Sequence, residues 1–590
     1  MAAQRAYTTH PLVLRRVTVR SVHQVTPRMR RVVLGGEELA AFTRDGTGHP
    51  AFAAPGFDDH IKLILAADGD VHAALPAQLP HGIEWTPAEH RLTRDYTPRR
   101  VDPEAGELHL DFVVHGDGPA EAWSAAAREG DELWFVGPKS SLRLPERLDW
   151  IQLVGDETAL PAIGRFLDER PLDAPAHVLV TVSDDSARQE LALREGDTVT
   201  WVVAEPGDAE ALEAAVRALP VEAGEGYVWA AAESRALLPV RRYLQRDRKL
   251  PKDRLNVTGY WHREETPAPE AETTADAAVR EPARISSPLP WLVARAALQL
   301  GVVDAVADAP GLSAVALAAR VGVPVAGVGV LLPLLSSYGV VVGADDGAPG
   351  LRLGPAGEEL LDEHEREEYT GHEAELLLAL THLAPALRGG GSPWRLASGG
   401  TLHEAVAQDA ERYGELVEEC EELVFLLGGL TADPLWESIG TCLLTGPGSA
   451  SVAAALDDAG RRPRLRVAED AVPVAVLRGH VPAPDRIDWT AGPADVAVAA
   501  KALAHRTDEE AVLLLARLAG WTRTAVLVEA SRPDGLSPHA AEAALHAYAA
   551  TGSPLRDSAA IAALAHRSGW EVERTIALGW GTEATVLRRA

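Results

Sequence analysis

Arg94, Tyr96, Thr97 and Arg99 stand in one short run, Arg94-Asp95-Tyr96-Thr97-Pro98-Arg99, whose side chains suit a single task. A guanidinium can grip a pyrophosphate as a fork, an aromatic face can lie against a flat heteroaromatic ring, and a hydroxyl can hydrogen-bond at its edge. Together they would hold a flavin; taken alone, the run also reads as a charged strand edge. A second stretch, Gly155-Asp156-Glu157-Thr158-Ala159-Leu160-Pro161, follows an apolar strand and opens a helix. Free backbone N–H groups and the helix dipole suit a cofactor phosphate there, although Asp156 or Thr158 would equally cap an ordinary helix. Lysine is scarce: Lys62, Lys139, Lys249, Lys252 and Lys501 complete the set. Lys62 and Lys139 fall inside the stretches DHIKL and GPKSS, as candidate anion contacts or as solvated surface residues.

The elements that must position these groups follow from periodicity. Alternating runs at Leu12 to Leu34, HIKLIL, ELHLDFVV and DELWFV read as short antiparallel strands of a small β-barrel. From Trp150 apolar strands alternate with helices (WIQLV, HVLVTV, TVTWVV, YVWAA, RLNVTGYW), the pattern of a parallel α/β sheet. A stretch rich in Pro, Ala, Glu and Thr then reads as a linker. Beyond it WLVARAALQLGVVDAVA predicts one apolar helix, and LSAVALAARVGV with VGVLLPLLSSYGVV a helix-turn-helix followed by a wing. A strand-loop-helix at CLLTGPGSASVAAAL opens a second α/β region. The expected units are a barrel at 12–147, an α/β domain at 148–265, a linker at 266–284, a winged-helix-like all-α region at 285–372 and a second, Rossmann-like α/β domain at 373–590.

Five motifs in register carry a resemblance: Arg-x-Tyr-Thr-x-Arg at 94–99, DFVVHGDGPAEAW at 111–123, VGPKSS at 136–141, GDETALPAIGRFL at 155–167 and GYWHR at 259–263. In that order they closely resemble the siderophore-interacting protein family, flavin-dependent ferric-siderophore reductases related to ferredoxin-NADP reductase. The resemblance implies a FAD-binding barrel followed by a nicotinamide-binding α/β domain. It implies that Arg94, Tyr96, Thr97 and Arg99 hold the flavin, with Tyr96 and Thr97 beside the chemistry. His115, Gly116, Gly118, Pro119, Ala120 and Trp123 would line the FAD phosphate and adenosine region; Gly155, Asp156, Glu157, Thr158 and Trp261 would serve cofactor binding. Lys62, Lys139 and Arg263 would meet an anionic ferric siderophore. Acidic Asp184 and Asp185 favour NADH and nearby Arg188 favours NADPH, so the donor stays open. No protein metal ligand is required.

Residues 291–362 resemble the dimerisation region of small-molecule O-methyltransferases, and the segment after them resembles the catalytic domain more faintly. The helix expected at Val325 to Ser337 has no Arg or Lys and so lacks the usual means of contacting DNA phosphates; a homodimer through the C-terminal half is expected. Gly446 and Gly448 fall in the glycine loop of an S-adenosylmethionine site, but Leu444 stands where the family has an acid and Ala450 replaces its third glycine. The ribose-binding acid falls near Ala468, with Glu469 and Asp470 adjacent. His505 falls at the catalytic base, although a His just before a helix cap also reads as structural. These departures argue against S-adenosylmethionine binding and for a degenerate domain.

Composition sets outer limits. A chain of 590 residues forms about three to five folding units. With 56 basic against 86 acidic side chains and a formal charge of −30, nonspecific nucleic-acid or anionic-membrane binding is excluded. Two cysteines, Cys420 and Cys442, are too few for a disulfide scaffold. The arginine-bearing N-terminus carries no export signal, and the cytoplasm is the expected compartment. The charge-free stretch from Val321 to Ala344 is broken by prolines and glycines and reads as a buried helix pair, without membrane insertion. The expected function is NAD(P)H-dependent, FAD-mediated reduction of a ferric siderophore. The alternatives are a bifunctional enzyme that also methylates a siderophore or secondary metabolite, and a flavin-bound scaffold without turnover.

Overall fold

The computed structural model describes residues 7–589 except 68, 89, 115–117, 221–222, 263–286, 344–349, 482, 538–539 and 541. The linker expected at 266–284 and three expected site residues, His115, Gly116 and Arg263, lie outside the described residues.

The period-two runs fold as strands because each has one apolar face. Strands β1 (Leu14–Thr26), β2 (Met29–Gly35), β3 (Ile61–Ala66), β4 (Arg91–Tyr96), β5 (Pro98–Asp102), β6 (Glu107–Val113) and β7 (Glu132–Val136) form an antiparallel sheet in the order β5-β6-β2-β1-β7-β3-β4. The two edge strands, β4 and β5, are consecutive in the chain and joined at Thr97, so the sheet curls until its edges are neighbours and becomes a barrel. Leu108, Leu110 and Phe112 of β6 point into its core, and helix α1 (Pro119–Ala126) packs Ala120 and Trp123 against it.

The next sheet is parallel, in the order β10-β9-β8-β11-β12, from β8 (Trp150–Gly155), β9 (Ala176–Val182), β10 (Thr198–Val203), β11 (Gly226–Glu233) and β12 (Leu255–Trp261). Its central strands are buried along their whole length and largely apolar because helices α2 (Leu160–Glu169), α3 (Ala209–Ala218) and α4 (Leu237–Arg242) accompany it. The winding reverses between β8 and β11, where open α/β sheets bind their ligands.

Helices α5 (Leu289–Gln299) and α6 (Val302–Asp308) replace the single helix expected from WLVARAALQLGVVDAVA: the chain bends by 61° between them, with Gly301 in the left-handed region. The bend lets both helices wrap one small core with α7 (Ala314–Val321) and α8 (Val325–Ser337), which meet at 113°. Among the described residues no single helix is long and apolar enough to cross a membrane. The wing is a pair of two-residue strands, β13 (Val341–Val342) and β14 (Arg352–Leu353), leading to α9 (Pro355–Glu359).

After α10 (Ala410–Glu419) come β15 (Thr441–Thr445), α11 (Ser449–Asp458), β16 (Arg464–Val467), β17 (Val496–Ala500), α12 (Asp508–Ala519), β18 (Thr524–Ala530), β19 (Trp570–Gly579) and β20 (Thr582–Arg589). Their sheet runs β16-β15-β17-β18-β20-β19, with β20 antiparallel to β18 and β19.

The two halves dock along two seams. Arg241 pairs with Asp362, Arg242 with Glu358 at 2.5 Å and Arg235 with Glu359 at 2.5 Å, tying α4 and the turn before it to α9 and the residues just after it. At the barrel, Ile83 and Trp85 share an apolar cluster with Leu536 and Trp580. Inside that seam buried Glu84 accepts from the Gly581 backbone N–H at 3.2 Å and from Arg532 at 3.0 Å. Replacing Glu84 by Ala strands a buried N–H and is expected to lower stability by about 1–2 kcal/mol. Urea unfolding of the full chain checks this; an unchanged midpoint would mean the contact does not hold the halves together.

Candidate functional site

The flavin run lies where the barrel's edges meet. Arg94 and Tyr96 are on β4, and Thr97 is the joint itself. The Tyr96 ring packs on Phe112 at 4.5 Å between centroids, and Phe112 packs on Trp123 of α1 at 5.7 Å. Burial pushes the Tyr96 phenol well up, so it stays neutral and serves as a surface for packing. Arg94 is exposed, donates to the Thr93 carbonyl at 2.8 Å and pairs with no carboxylate among the described residues. Arg99 is engaged: it pairs with Asp168 at 2.7 Å and lies across α2 at Gly164. Gly118 and Pro119 open α1, whose Ala120 is buried. The exposed guanidinium, the cluster of tilted rings and the helix start suit a flavin dinucleotide.

The second expected site forms a cleft at the sheet's reversal, walled by Arg28, Asp156, Glu157, Thr158, Thr181, Ser183, Glu205 and Trp261 among others. Gly155 ends β8 so close to β11 that a Cβ there would sit 2.5 Å from the Ala231 carbonyl oxygen; only glycine lets the chain turn into the cleft. Asp156 then accepts four hydrogen bonds, from the Thr158 N–H (2.8 Å) and hydroxyl (2.5 Å), the Glu233 N–H (3.1 Å) and the Trp261 indole (2.7 Å). Glu157 accepts from the Ser183 N–H at 2.8 Å and hydroxyl at 2.6 Å. The acids of this loop therefore brace the cleft, and its open face suits a nucleotide. Asp185, one of the acids that would read a ribose, pairs with Arg188 at 2.7 Å.

The barrel and cleft are adjoined by contacts that sequence reading did not single out. The Tyr260 ring, next to Trp261 of the cleft, packs edge-on against Trp229 at 6.1 Å between centroids. Asp58 accepts from the Trp229 indole at 3.1 Å and the Asn256 amide at 3.3 Å, while Phe57 packs on Phe166 and Trp229. Asp59 is buried and accepts from the Ser141 hydroxyl at 2.7 Å and the Gly56 N–H at 2.9 Å. Two adjacent acids inside the apolar stretch Phe57 to Leu65 were the available signal. Arg28, from the β1–β2 turn, is another addition to the cleft.

Lys62 and Lys139 are brought to the same end of the barrel, but neither stands free. Lys62 pairs with Asp95 at 2.8 Å, and Lys139 pairs with Glu422 at 2.7 Å.

In the C-terminal sheet the glycine loop again follows the central strand at a reversal, between β15 and β17. Gly446 has φ +92°, and a Cβ there would lie 2.4 Å from the Ala500 carbonyl oxygen. Glu469, which follows β16, turns back onto this loop and accepts from the Thr445 hydroxyl and the Gly446 N–H, both at 2.6 Å. Gly448 faces Leu423 and Ala500. The Glu469 carboxylate ties the glycine loop to the end of β16. His505 is fully enclosed, with Arg506 at 2.8 Å from its Nε2 and the His403 ring centroid 5.4 Å away. Burial, then the Arg506 charge, push its pKa well down, leaving it neutral beside the capping box that Thr507 and Glu510 form at the start of α12.

Comparison with known proteins finds matches in both halves of the chain. Residues 18–142 match the siderophore-interacting FAD-binding domain, residues 148–264 the siderophore-interacting protein family and residues 292–363 the O-methyltransferase dimerisation domain. The chain is 31% identical over 254 residues to the NADPH-dependent ferric-chelate reductase of Escherichia coli, covering 42% of this chain and 94% of that protein. It is 30% identical over 243 residues to the ferric vibriobactin reductase ViuB of Vibrio cholerae, covering 40% and 86%. Among solved structures, a siderophore utilization protein from T. fusca is 35% identical and covers 45% of this chain and 98% of its own, with a TM-score of 0.41. The mitomycin 7-O-methyltransferase MmcR is 22% identical and covers 51% and 94%, with a TM-score of 0.39.

Asp59 yields a pH test. Burial raises its pKa to about 7, against the lowering effects of Ser141, Gly56 and Arg165 and with Asp58 adding to the rise. A carboxyl whose folded pKa is raised binds its proton more tightly when folded, so its contribution is fully favourable at acid pH and declines as pH rises toward 7. Asp59→Asn is expected to leave stability near wild type below pH 4 and to raise it by up to about 4 kcal/mol above pH 7. Denaturation at pH 4 and pH 8 gives the comparison; an equal effect at both pH values would contradict the shift.

Proposed function

We propose, given that this chain belongs to the siderophore-interacting protein family through residues 18–264, that its N-terminal half is a FAD-dependent ferric-chelate reductase acting on siderophores with NADPH or NADH as donor. FAD, when bound, supplies acceptance of a hydride and one-electron delivery to Fe(III). The observation that carries the reading is the buried hydrogen bond that Arg165 of α2 donates to the Pro98 carbonyl at 3.1 Å. It ties the barrel at the residue after Thr97 to the helix that follows the Gly155 loop, so that a flavin and a nicotinamide would share one boundary.

This chain's residues bind and orient. Arg94 would offer its unpaired guanidinium to the flavin phosphates, Tyr96 a neutral aromatic face held by Phe112, and Thr97 a hydroxyl at the ring edge. Gly118, Pro119, Ala120 and Trp123 would line the dinucleotide, while Thr158 and the start of α2 would meet the nicotinamide dinucleotide. Trp261, held by Asp156, would close the cleft against water. Reduction weakens the chelate because Fe(II) binds hard oxygen donors less tightly than Fe(III), and iron is released without a protein ligand.

In our reading the C-terminal half is a methyltransferase-like domain that does not transfer methyl groups, because Glu469 occupies its glycine loop. Its use is dimerisation and support of the reductase. Val330 of α8 is 73% exposed, and Val325 beside it and Leu289 and Leu292 of α5 are exposed as well, an apolar surface suited to a second copy.

Three outcomes are expected. The purified full chain binds FAD and reduces ferric chelates in steady state with trapped Fe(II), and Arg94→Ala weakens FAD binding roughly ten-fold in a fluorescence titration; absence of flavin absorbance with FAD supplied would refute the reading. Calorimetry with S-adenosylmethionine registers no micromolar binding, and such binding would restore the methyltransferase. Val330→Asp converts a dimer to a monomer in sedimentation velocity, and a dimer that survives it would place the interface elsewhere.

A further inference from the structure

Lys62 lies in the sheet between Asp95 of β4 and Val136 of β7, and Lys139 follows three residues beyond Val136. Both lysines, with Asp95, lie near enough to the His60 side chain to act on its charge. They mark the end of the barrel at which Tyr96 and Thr97 also sit, because Ile61 pairs with Tyr96. Such a pair of cations would give this opening a positive field suited to anionic chelates.

The C-terminal half changes that field. Glu422, which is 283 positions from Lys139 in the chain, places its carboxylate 2.7 Å from the Lys139 ammonium. The rings of Phe425 and Trp580 flank the same ammonium, with centroids 5.0 and 6.0 Å away. Asp95 matches Lys62 in the same way. Two positive charges therefore meet two negative ones, and one of those negatives is contributed by a domain outside the reductase. The pairs are partly exposed, with Glu422 at 62%, so an arriving ligand meets them directly.

We propose that Glu422, with Phe425 and Trp580, is a specificity-determining residue of the reductase, cancelling the Lys139 charge and walling the opening with aromatic surface so that ferric chelates of low net charge are preferred to strongly anionic ones. This rests on the reductase reading above. Lys139 then acts chiefly as an anchor between the halves, and the electrostatic preference of the opening is set by the second half.

The test uses the full chain with FAD bound and compares a neutral with a dianionic ferric aminocarboxylate as substrates, with Fe(II) trapped. Glu422→Gln is expected to raise the ratio of kcat/KM for the dianion to that for the neutral chelate by about five-fold, mainly through KM. In a Lys139→Met background the same substitution is expected to leave the ratio unmoved. If the wild type reduces both chelates but Glu422→Gln leaves the ratio unchanged or lowers it, or if its effect persists without Lys139, the proposal fails while the reductase reading stands. If the flavin-loaded wild type reduces neither chelate, the reductase reading fails and takes this proposal with it.

Discussion

The Asp156 carboxylate is the knot on which the reductase half depends. It lies at the end of the central strand, buried, and binds two donors of its own turn together with one from the end of β11 and one from Trp261 at the end of β12. A carboxylate taken out of water is stable only when its lone pairs are filled, and here the filling groups are the strand ends that define the cleft. Gly155 is a condition of the same knot, since any side chain there would strike the Ala231 carbonyl. The cleft is thus braced by the residues at its own floor.

A related logic joins the barrel to the α/β sheet. Phe57 and Asp58 reach across to Phe166, Trp229 and Asn256, and Arg165 of α2 donates to the carbonyls of Pro98, at 3.1 Å, and Ala54. Two domains fixed by buried polar contacts hold a common boundary more rigidly than an apolar patch alone, because each hydrogen bond has a direction. That rigidity is what electron transfer between two separately bound cofactors requires.

The acidic body of the protein acquires a local meaning from the same view. A charge of −30 disfavours anionic ligands on average, and the end of the barrel beside Tyr96 holds two lysines that are each matched by a carboxylate. In the second half Glu469 turns onto its own glycine loop, and Glu422 reaches Lys139 of the barrel.

Much of this was legible in the chain. Alternation with period two gave the barrel strands, apolar strands with intervening helices gave the parallel sheets, and the run from Arg94 to Arg99, with the loop opened by Gly155, pointed to the two ends of the reductase, because strand polarity and glycine placement are local properties. The break of α5 from α6 was missed because both segments are equally apolar and the bend serves a core made by α7 and α8. The roles of Asp58 and Asp59, the turning of Glu469 onto its own loop and the pairing of Lys139 with Glu422 were not legible. Each depends on a partner 23 or more positions away. Sequence alone determined which residue types stand at strand ends and loops, since those follow from backbone sterics and hydrophobic period. Only the tertiary structure decided which charges are spent on one another, because neutralisation acts through space at a few ångströms and leaves no trace in local order.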